Sequence, residues 1–217
     1  MKQSQNDKHT IAWFKIAECV SRGEKERAFG VYRLLSHSFN DKAIAYQLEA
    51  DIYCSFGEIE QATLLYQQAM ECYTKSDRFL EAAAVGEHLI YIHPAGMSLH
   101  REMVQLYISL AMTAKIRSHL TQLIDLLAQK QQWYEIKEIV AECTHVTDIN
   151  GRVQLYADII IHADKVGCPS DVIIICIERI LHDLSLVDNK KSIHNFMSLL
   201  QAYSEKLYHQ ALTYLKK

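Results

Sequence analysis

Two stretches of this chain match each other at a constant offset of 34: Gly23, Ala28, Tyr32 and Leu35 recur as Gly57, Ala62, Tyr66 and Ala69. An internal period of that length confines the fold to stacked small units, each too small to bury its own apolar face without a neighbour. Spacing inside the unit predicts helix–turn–helix. Gly57 ends an apolar-periodic stretch, where a helix C-terminus needs positive φ. Glu58 and Glu60 then place carboxylates in the first turn of the next helix, where the dipole favours them. Ala62 and Ala69 fall seven positions apart on one face, small enough for a partner helix to come close, with Tyr66 filling the space between them.

Helical periodicity runs from about Thr10 to the end and predicts helices near 10–22, 25–38, 42–56, 59–74, 77–93, 98–112, 114–130, 132–145, 149–166, 170–186 and 190–215. The predicted breaks are Gly23, Asn40–Asp41, Gly57, Ser76–Asp77, Pro94–Gly96, Thr147–Gly151, Gly167–Ser170 and Asp188–Asn189, with Ser170 as an N-cap. Residues 1–9 are expected to form a disordered tail. Ile193, Phe196, Met197, Leu200, Leu207, Ala211 and Leu215 trace one stripe, so 190–217 is expected to be a single long helix covering the last apolar face.

Only two prolines and seven glycines occur, too few for an all-β chain rich in turns. A net charge of −3 argues against a large nucleic-acid footprint. Charge is uneven, since eight acids between Glu49 and Glu87 meet only Lys75 and Arg78. That stretch is either an ordinary solvated face or a surface for a basic partner. The longest apolar run, Val172–Ile177, is far too short to enter and cross a membrane. Residues 1–10 are polar and show no secretory signal. The six cysteines lack CxxC spacing and read as core residues of a reducing compartment, so a cytoplasmic location is expected.

Tyr46, Ala50, Tyr53, Gly57, Ala62, Tyr66 and Ala69 resemble a tetratricopeptide repeat over residues 43–74, with Thr74 in place of the usual terminal proline. The resemblance is weaker over 9–42, where Ile16 stands at a small-residue position, and over 77–127. Phe79, Ala82, Leu89 and Pro94 match a second helix out of phase, because Ala82 follows Ala62 at an offset of only 20. Tyr73 with Tyr107 and Leu89 with Leu123 restore the offset of 34, so the helix near 59–74 is expected to close one repeat and open the next. The resemblance implies an all-α, right-handed α-solenoid of antiparallel helix pairs, forming one domain over 1–217.

It also implies a non-catalytic scaffold or adaptor that presents a concave groove to a protein or peptide, or to a second copy of the chain. Groove positions would be Thr10, Trp13, Ala17 and Val20, then Gln47, Asp51, Cys54 and Ser55, then Ser98, Arg101, Gln105 and Ile108. Trp13 and Ala17 stand where relatives that clamp a C-terminal carboxylate carry lysine and asparagine, which disfavours that role. Trp13 belongs either to the groove or to the core. A secretion chaperone of the same class and a structural subunit of a larger assembly are the rival readings. An RNA-binding solenoid would need a basic concave face, which the acids between 49 and 87 oppose.

No motif for chemistry stands against this. The chain has no GxSxG, no phosphate-binding glycine loop and no HExxH. Glu135 and Glu138 share a helix face beside Lys137 and read as solvated surface. His88 and His93 are five apart, off the helical spacing that would let them share a metal with His100, and Cys143–x–His145 has no companions. The histidines are therefore expected at the surface or at helix ends, with no metal, no cofactor and no enzymatic activity.

Overall fold

A computed structural model describes residues 5–37, 39, 41–94, 96–187 and 190–216. Among these, all regular structure is helical: α1 Gln5–Ser21, α2 Lys25–Ser36, α3 Lys42–Ser55, α4 Ile59–Lys75, α5 Phe79–Ile92, α6 Met97–Ser109, α7 Thr113–Gln129, α8 Ile136–Glu142, α9 Ile149–Lys165, α10 Ser170–Leu186, α11 Lys190–Tyr203 and α12 Glu205–Leu215. Short 3-10 turns flank α8 at Trp133–Glu135 and Cys143–His145. The chain divides into two compact units, Met1–Gly96 and Met97–Lys217. In the first, α1 packs on α2, α3 on α4 and α4 on α5; in the second, α6 packs on α7, α7 on α9, α8 on α10 and α11 on α9.

One turn geometry recurs through both units. Gly23, Gly57, Asp77, Ala111, Gln131 and Gly167 all adopt positive φ, between 53° and 88°. The amide after each donates to the carbonyl five positions back: Glu24 to Cys19, Glu58 to Tyr53, Arg78 to Tyr73, Met112 to Tyr107, Gln132 to Leu127 and Cys168 to Ala163. Each left-handed residue itself donates three positions back, for example Gly57 to Cys54 and Ala111 to Ile108. This paired bonding satisfies the carbonyls left over at a helix end and reverses the chain within a short loop. Glycine adopts the required φ without strain, whereas Asp77, Ala111 and Gln131 hold it against a Cβ.

The spacing of these turns corrects the period read from the sequence. Successive turns are separated by 34, 20, 34, 20 and 36, so equivalent turns return at an offset of 54 rather than 34. Burial follows the longer period. Ala62, Tyr66, Ala69, Met70 and Tyr73 of α4 are buried, and so are their counterparts at that offset, Ile116, Leu120, Leu123, Ile124 and Leu127 of α7. Ala28 and Leu35 of α2 recur as Ala82 and Leu89 of α5 and as Ile136 and Cys143 at α8, all buried. With a longer loop ahead of it, α10 repeats α7 at an offset of 57, through Ile173, Ile177, Ile180, Leu181 and Leu184. The repeating element is therefore a helix triplet: A helices α3, α6 and α9; B helices α1, α4, α7 and α10; C helices α2, α5, α8 and α11. Gly23 joins B to C and Gly57 joins A to B, so the offset of 34 relates two hairpins that occupy different places in the triplet.

The helix 59–74 does pack on both sides, against α3 and against α5. Ala50, Ala62 and Ala69 are fully buried, as the close approach of α3 and α4 requires. The expected single C-terminal helix is instead two. Ser204 adopts extended backbone between α11 and α12, and its hydroxyl accepts from the Leu207 amide. An N-cap in that conformation ends one helix and begins another, and the gap in the apolar stripe between Leu200 and Leu207 falls across it. Helix α12 then packs on α10 and α11. At the other end, α1 already begins at Gln5, whereas the expected tail ran to residue 9; residues 1–4 lie outside the described residues. Ser170 is the first residue of α10 rather than its cap, which Pro169 occupies. The expected break at Asp188–Asn189 also lies outside the described residues.

Candidate functional site: an open junction between α1 and α3

Where a B helix meets the A helix of the following triplet, the first unit leaves a gap. The α1–α3 junction holds a hollow of about 300 Å³ lined by Trp13, Ile16, Ala17, Val20 and Ser21 of α1 and by Leu48, Asp51, Ile52 and Ser55 of α3. Ile16, Leu48 and Ile52 form its floor, each 4% exposed or less, because they also belong to the core beneath, with Ala28, Tyr32 and Leu35. Trp13 remains 41% exposed, which puts it on the wall of the hollow rather than in the core. Ile11 and Phe14 on the same helix are exposed as well.

The one charged side chain lining this apolar space is Asp51. Tyr66 of α4 donates its hydroxyl to Asp51 Oδ1 at 2.6 Å. Burial raises the Asp51 pKa, while the Tyr66 bond and the nearby His88 pull it the other way. His88 sits edge-on to the Tyr66 ring, with centroids 4.9 Å apart. The Tyr66 phenol is pushed up, chiefly through desolvation and then through its bond to Asp51. Gln47, one turn before Asp51, accepts from the Tyr73 hydroxyl at 2.8 Å. Tyrosines of α4 thus reach across to hold the polar side chains of α3, which fixes Asp51 in place.

The second unit contains the equivalent junction, between α7 and α9, and there the gap is closed. Its residual space is about 10 Å³, among Leu120, Ile124, Leu155, Ile159 and their neighbours. Aligning Ile16 with Ile124 and Gly57 with Gly167 makes Ala17 correspond to Asp125, Ile52 to His162 and Leu48 to Asp158. His162 Nε2 lies 2.7 Å from Asp125 Oδ1, and Arg117 Nε donates to Asp158 Oδ2 at 2.6 Å. Polar pairs therefore bridge α7 and α9 at positions that are apolar between α1 and α3, where Leu48 and Ile52 lie in the floor and Ala17 faces the hollow.

Of the residues expected to line a groove, Trp13, Ala17 and Asp51 come together in the α1–α3 hollow and Gln47 sits one turn away. Ser98, Arg101 and Gln105 lie on α6 in the second unit. Arg101 is engaged inside that unit, donating to Glu135 and to Glu142 at 3.0 Å each, while Gln105 donates to Glu142 at 3.4 Å. Ser98 is exposed on α6 and does not line the α1–α3 hollow. Arg101 is thus a strut between α6 and α8 and a poor anchor for a partner, because binding would have to displace two carboxylates.

Two features of the second unit had no signal in the sequence. His100 of α6 and His119 of α7 are each 2% exposed, with their Nδ1 atoms 3.2 Å apart and the Tyr107 ring stacked on His119. This corrects the expectation of surface histidines: their positions are core positions of the triplet, and the rings satisfy one another there. No group of three or more potential metal ligands occurs among the described residues. A larger hollow, about 540 Å³, is lined by α10 residues Glu178, Arg179, His182 and Asp183 together with Tyr156 and Tyr214. Its inner wall is a closed network, in which Tyr156 donates to Asp183 at 2.8 Å and Arg152 donates to both Asp183 and the Val146 carbonyl. Beside it, burial pushes the Cys143 thiol up to about 12, which makes it inert rather than nucleophilic. Among the described residues no helix is long and apolar enough to cross a membrane. No family model and no curated protein matches the chain.

Proposed function

We propose that this chain is a non-catalytic, tetratricopeptide-like interaction module whose α1–α3 hollow seats a side chain presented by a protein or peptide partner. The observation that carries this reading is the contrast between equivalent junctions: one is bridged by its own polar side-chain pairs, the other keeps a mainly apolar space of about 300 Å³ with a half-exposed tryptophan on its rim. Exposed tryptophan beside a concave apolar floor is the arrangement in which interface energy concentrates. The Gly57 hairpin, with Tyr46, Ala50, Tyr53, Ala62, Tyr66 and Ala69, supports a likeness confined to that hairpin, and a right-handed stacking of the helix triplets is part of the same proposal. Free cysteines without ligand or disulfide spacing support a reducing, cytoplasmic setting.

Selection of peptides from a random display library on the immobilised chain tests the reading. Selected peptides should lose about 2 kcal/mol of binding to Trp13→Ala. They should also fail on Ala17→Trp, which plugs the hollow, and bind Arg101→Ala normally. Peptides that bind all three variants equally would place the interaction elsewhere and remove the proposal.

A further inference from the structure

The hollow is mainly apolar and holds one carboxylate, Asp51, which is short of a cation; the two hydroxyls of its lining, Ser21 and Ser55, donate to the Glu18 and Asp51 backbone carbonyls. Asp51 receives the Tyr66 hydroxyl on Oδ1. Among the described residues it forms no ion pair with lysine or arginine, and His88 is the basic group whose charge reaches it. An ionised carboxylate offers about four acceptor sites, so one hydroxyl leaves most of its capacity unused. The α7–α9 junction shows how the same fold answers such acids from within: Asp158 takes Arg117 and Asp125 takes His162. At the α1–α3 junction the positions matching Asp125 and His162 are Ala17 and Ile52, which can supply no charge. The remaining walls are Trp13, Ile16, Val20 and Leu48, with the uncharged Ser21 and Ser55.

We infer that the hollow is a seat for an arginine side chain of the partner, its aliphatic stem lying on Ile16, Ala17, Leu48 and Ile52 and its guanidinium reaching Asp51 beside the Trp13 indole. This rests on the proposed function and names the chemistry of the same site. Arginine fits better than a purely apolar side chain because burial of the Asp51 carboxylate is relieved only by a donor, and a guanidinium donates through several N–H groups at once. It fits better than lysine because the planar head can stack on an indole while it still pairs with a carboxylate. The surroundings agree in sign. Residues 1–96 carry 10 Lys and Arg against 13 Asp and Glu, net −3, whereas residues 97–217 carry 13 of each, net 0. A basic partner is therefore drawn to the first unit rather than to the second.

The test uses the full chain and two small probes of one shape: n-butylguanidinium, which reproduces the arginine stem and head, and neutral n-butylurea. Binding is read from the indole N–H resonance of Trp13, assigned with Trp13→Phe, with Trp133 as the internal control. Butylguanidinium should shift Trp13 and leave Trp133 in place. Asp51→Asn, which retains an oxygen for the Tyr66 hydroxyl, should weaken that binding about five-fold or more, and butylurea should bind wild type more weakly by a similar factor. If butylurea binds as well as butylguanidinium, or Asp51→Asn binds butylguanidinium as wild type does, the arginine inference fails while the hollow remains an apolar seat. If neither probe moves Trp13 at concentrations where both are in large excess, the hollow seats no side chain and the proposed function falls with the inference.

Discussion

The α1–α3 and α7–α9 junctions start from the same geometry and end differently. Both join a B helix to the A helix of the next triplet, and both rest on buried aliphatic side chains, Ile16, Leu48 and Ile52 in one and Leu120, Ile124, Leu155 and Ile159 in the other. The helix bodies therefore do not decide whether the gap closes. The rim does. Asp125–His162 and Arg117–Asp158 bridge the α7–α9 rim, while Ala17 offers α3 too little side chain to reach it. A rim that is not bridged leaves the hollow open, and a mainly apolar space with a fixed carboxylate is a place for something else to bind.

If the α7–α9 junction is sealed and the α1–α3 junction is open, truncating their equivalent isoleucines should have unequal effects. Ile124→Ala should destabilise the second unit by about 2–5 kcal/mol, because a sealed site cannot refill the space. Ile16→Ala should destabilise the first unit by about half as much, since Ile16 borders the open hollow and already lacks packing partners on that side. Urea unfolding can follow each unit separately, because each contains one of the two tryptophans, Trp13 and Trp133. Equal losses would mean that the two junctions are equally closed in solution.

Enlarging alanines sharpens the same comparison within the first unit. Ala62→Leu overpacks the fully buried contact between α3 and α4 and should cost about 1–3 kcal/mol. Ala17→Leu points into open space and should change stability by less than about 0.5 kcal/mol. A large loss from Ala17→Leu would show that the hollow is not there.

The triplet register on which the comparison rests is tested at the turns. Gly57→Ala should destabilise by about 1 kcal/mol, and Ala111→Gly, at the equivalent turn of the next triplet, should stabilise by a similar amount, because both sit at positive φ. Thermal melts of the two variants should move in opposite directions. Movement in the same direction would break the equivalence.

The smallest expected effect is electrostatic. Burial raises the folded-state pKa of Asp51 above its ordinary 3.8, so the folded state binds the proton more tightly than the unfolded one. The stability this contributes is present below the unfolded value and is lost as pH rises through the folded value. Asp51→Asn should therefore gain stability over wild type at neutral pH and gain less near pH 3, as read by urea midpoints at the two pH values. A gain that grows on acidification would mean that Asp51 is held ionised, which would require a cation already at its side.

The sequence by itself determined the local structure. Helical periodicity, the glycines at 23, 57 and 167 and the buried alanines at 50, 62 and 69 were all legible, because each reflects a constraint within one turn or one helix face. It also placed Trp13, Ala17 and Asp51 on the faces that meet. Tertiary structure decided the rest. A glycine followed at the fifth position by alanine and at the ninth by tyrosine suits any helix reversing onto its predecessor, so the match between Gly23 and Gly57 could not distinguish a B–C hairpin from an A–B hairpin. The turns at Asp77, Ala111 and Gln131 carry no glycine; a break at Ser76–Asp77 was legible, but the left-handed geometry that equates all three with the glycine turns showed only in the backbone, which completed the longer period. His100 and His119, on separate helices, meet each other and the Tyr107 ring in the core, and Arg101 became a strut through Glu135 and Glu142, which lie beyond α7 in the chain. Whether a junction is open or closed depends on which rim side chains face across it from another helix, and that pairing is a property of packing, not of any one segment.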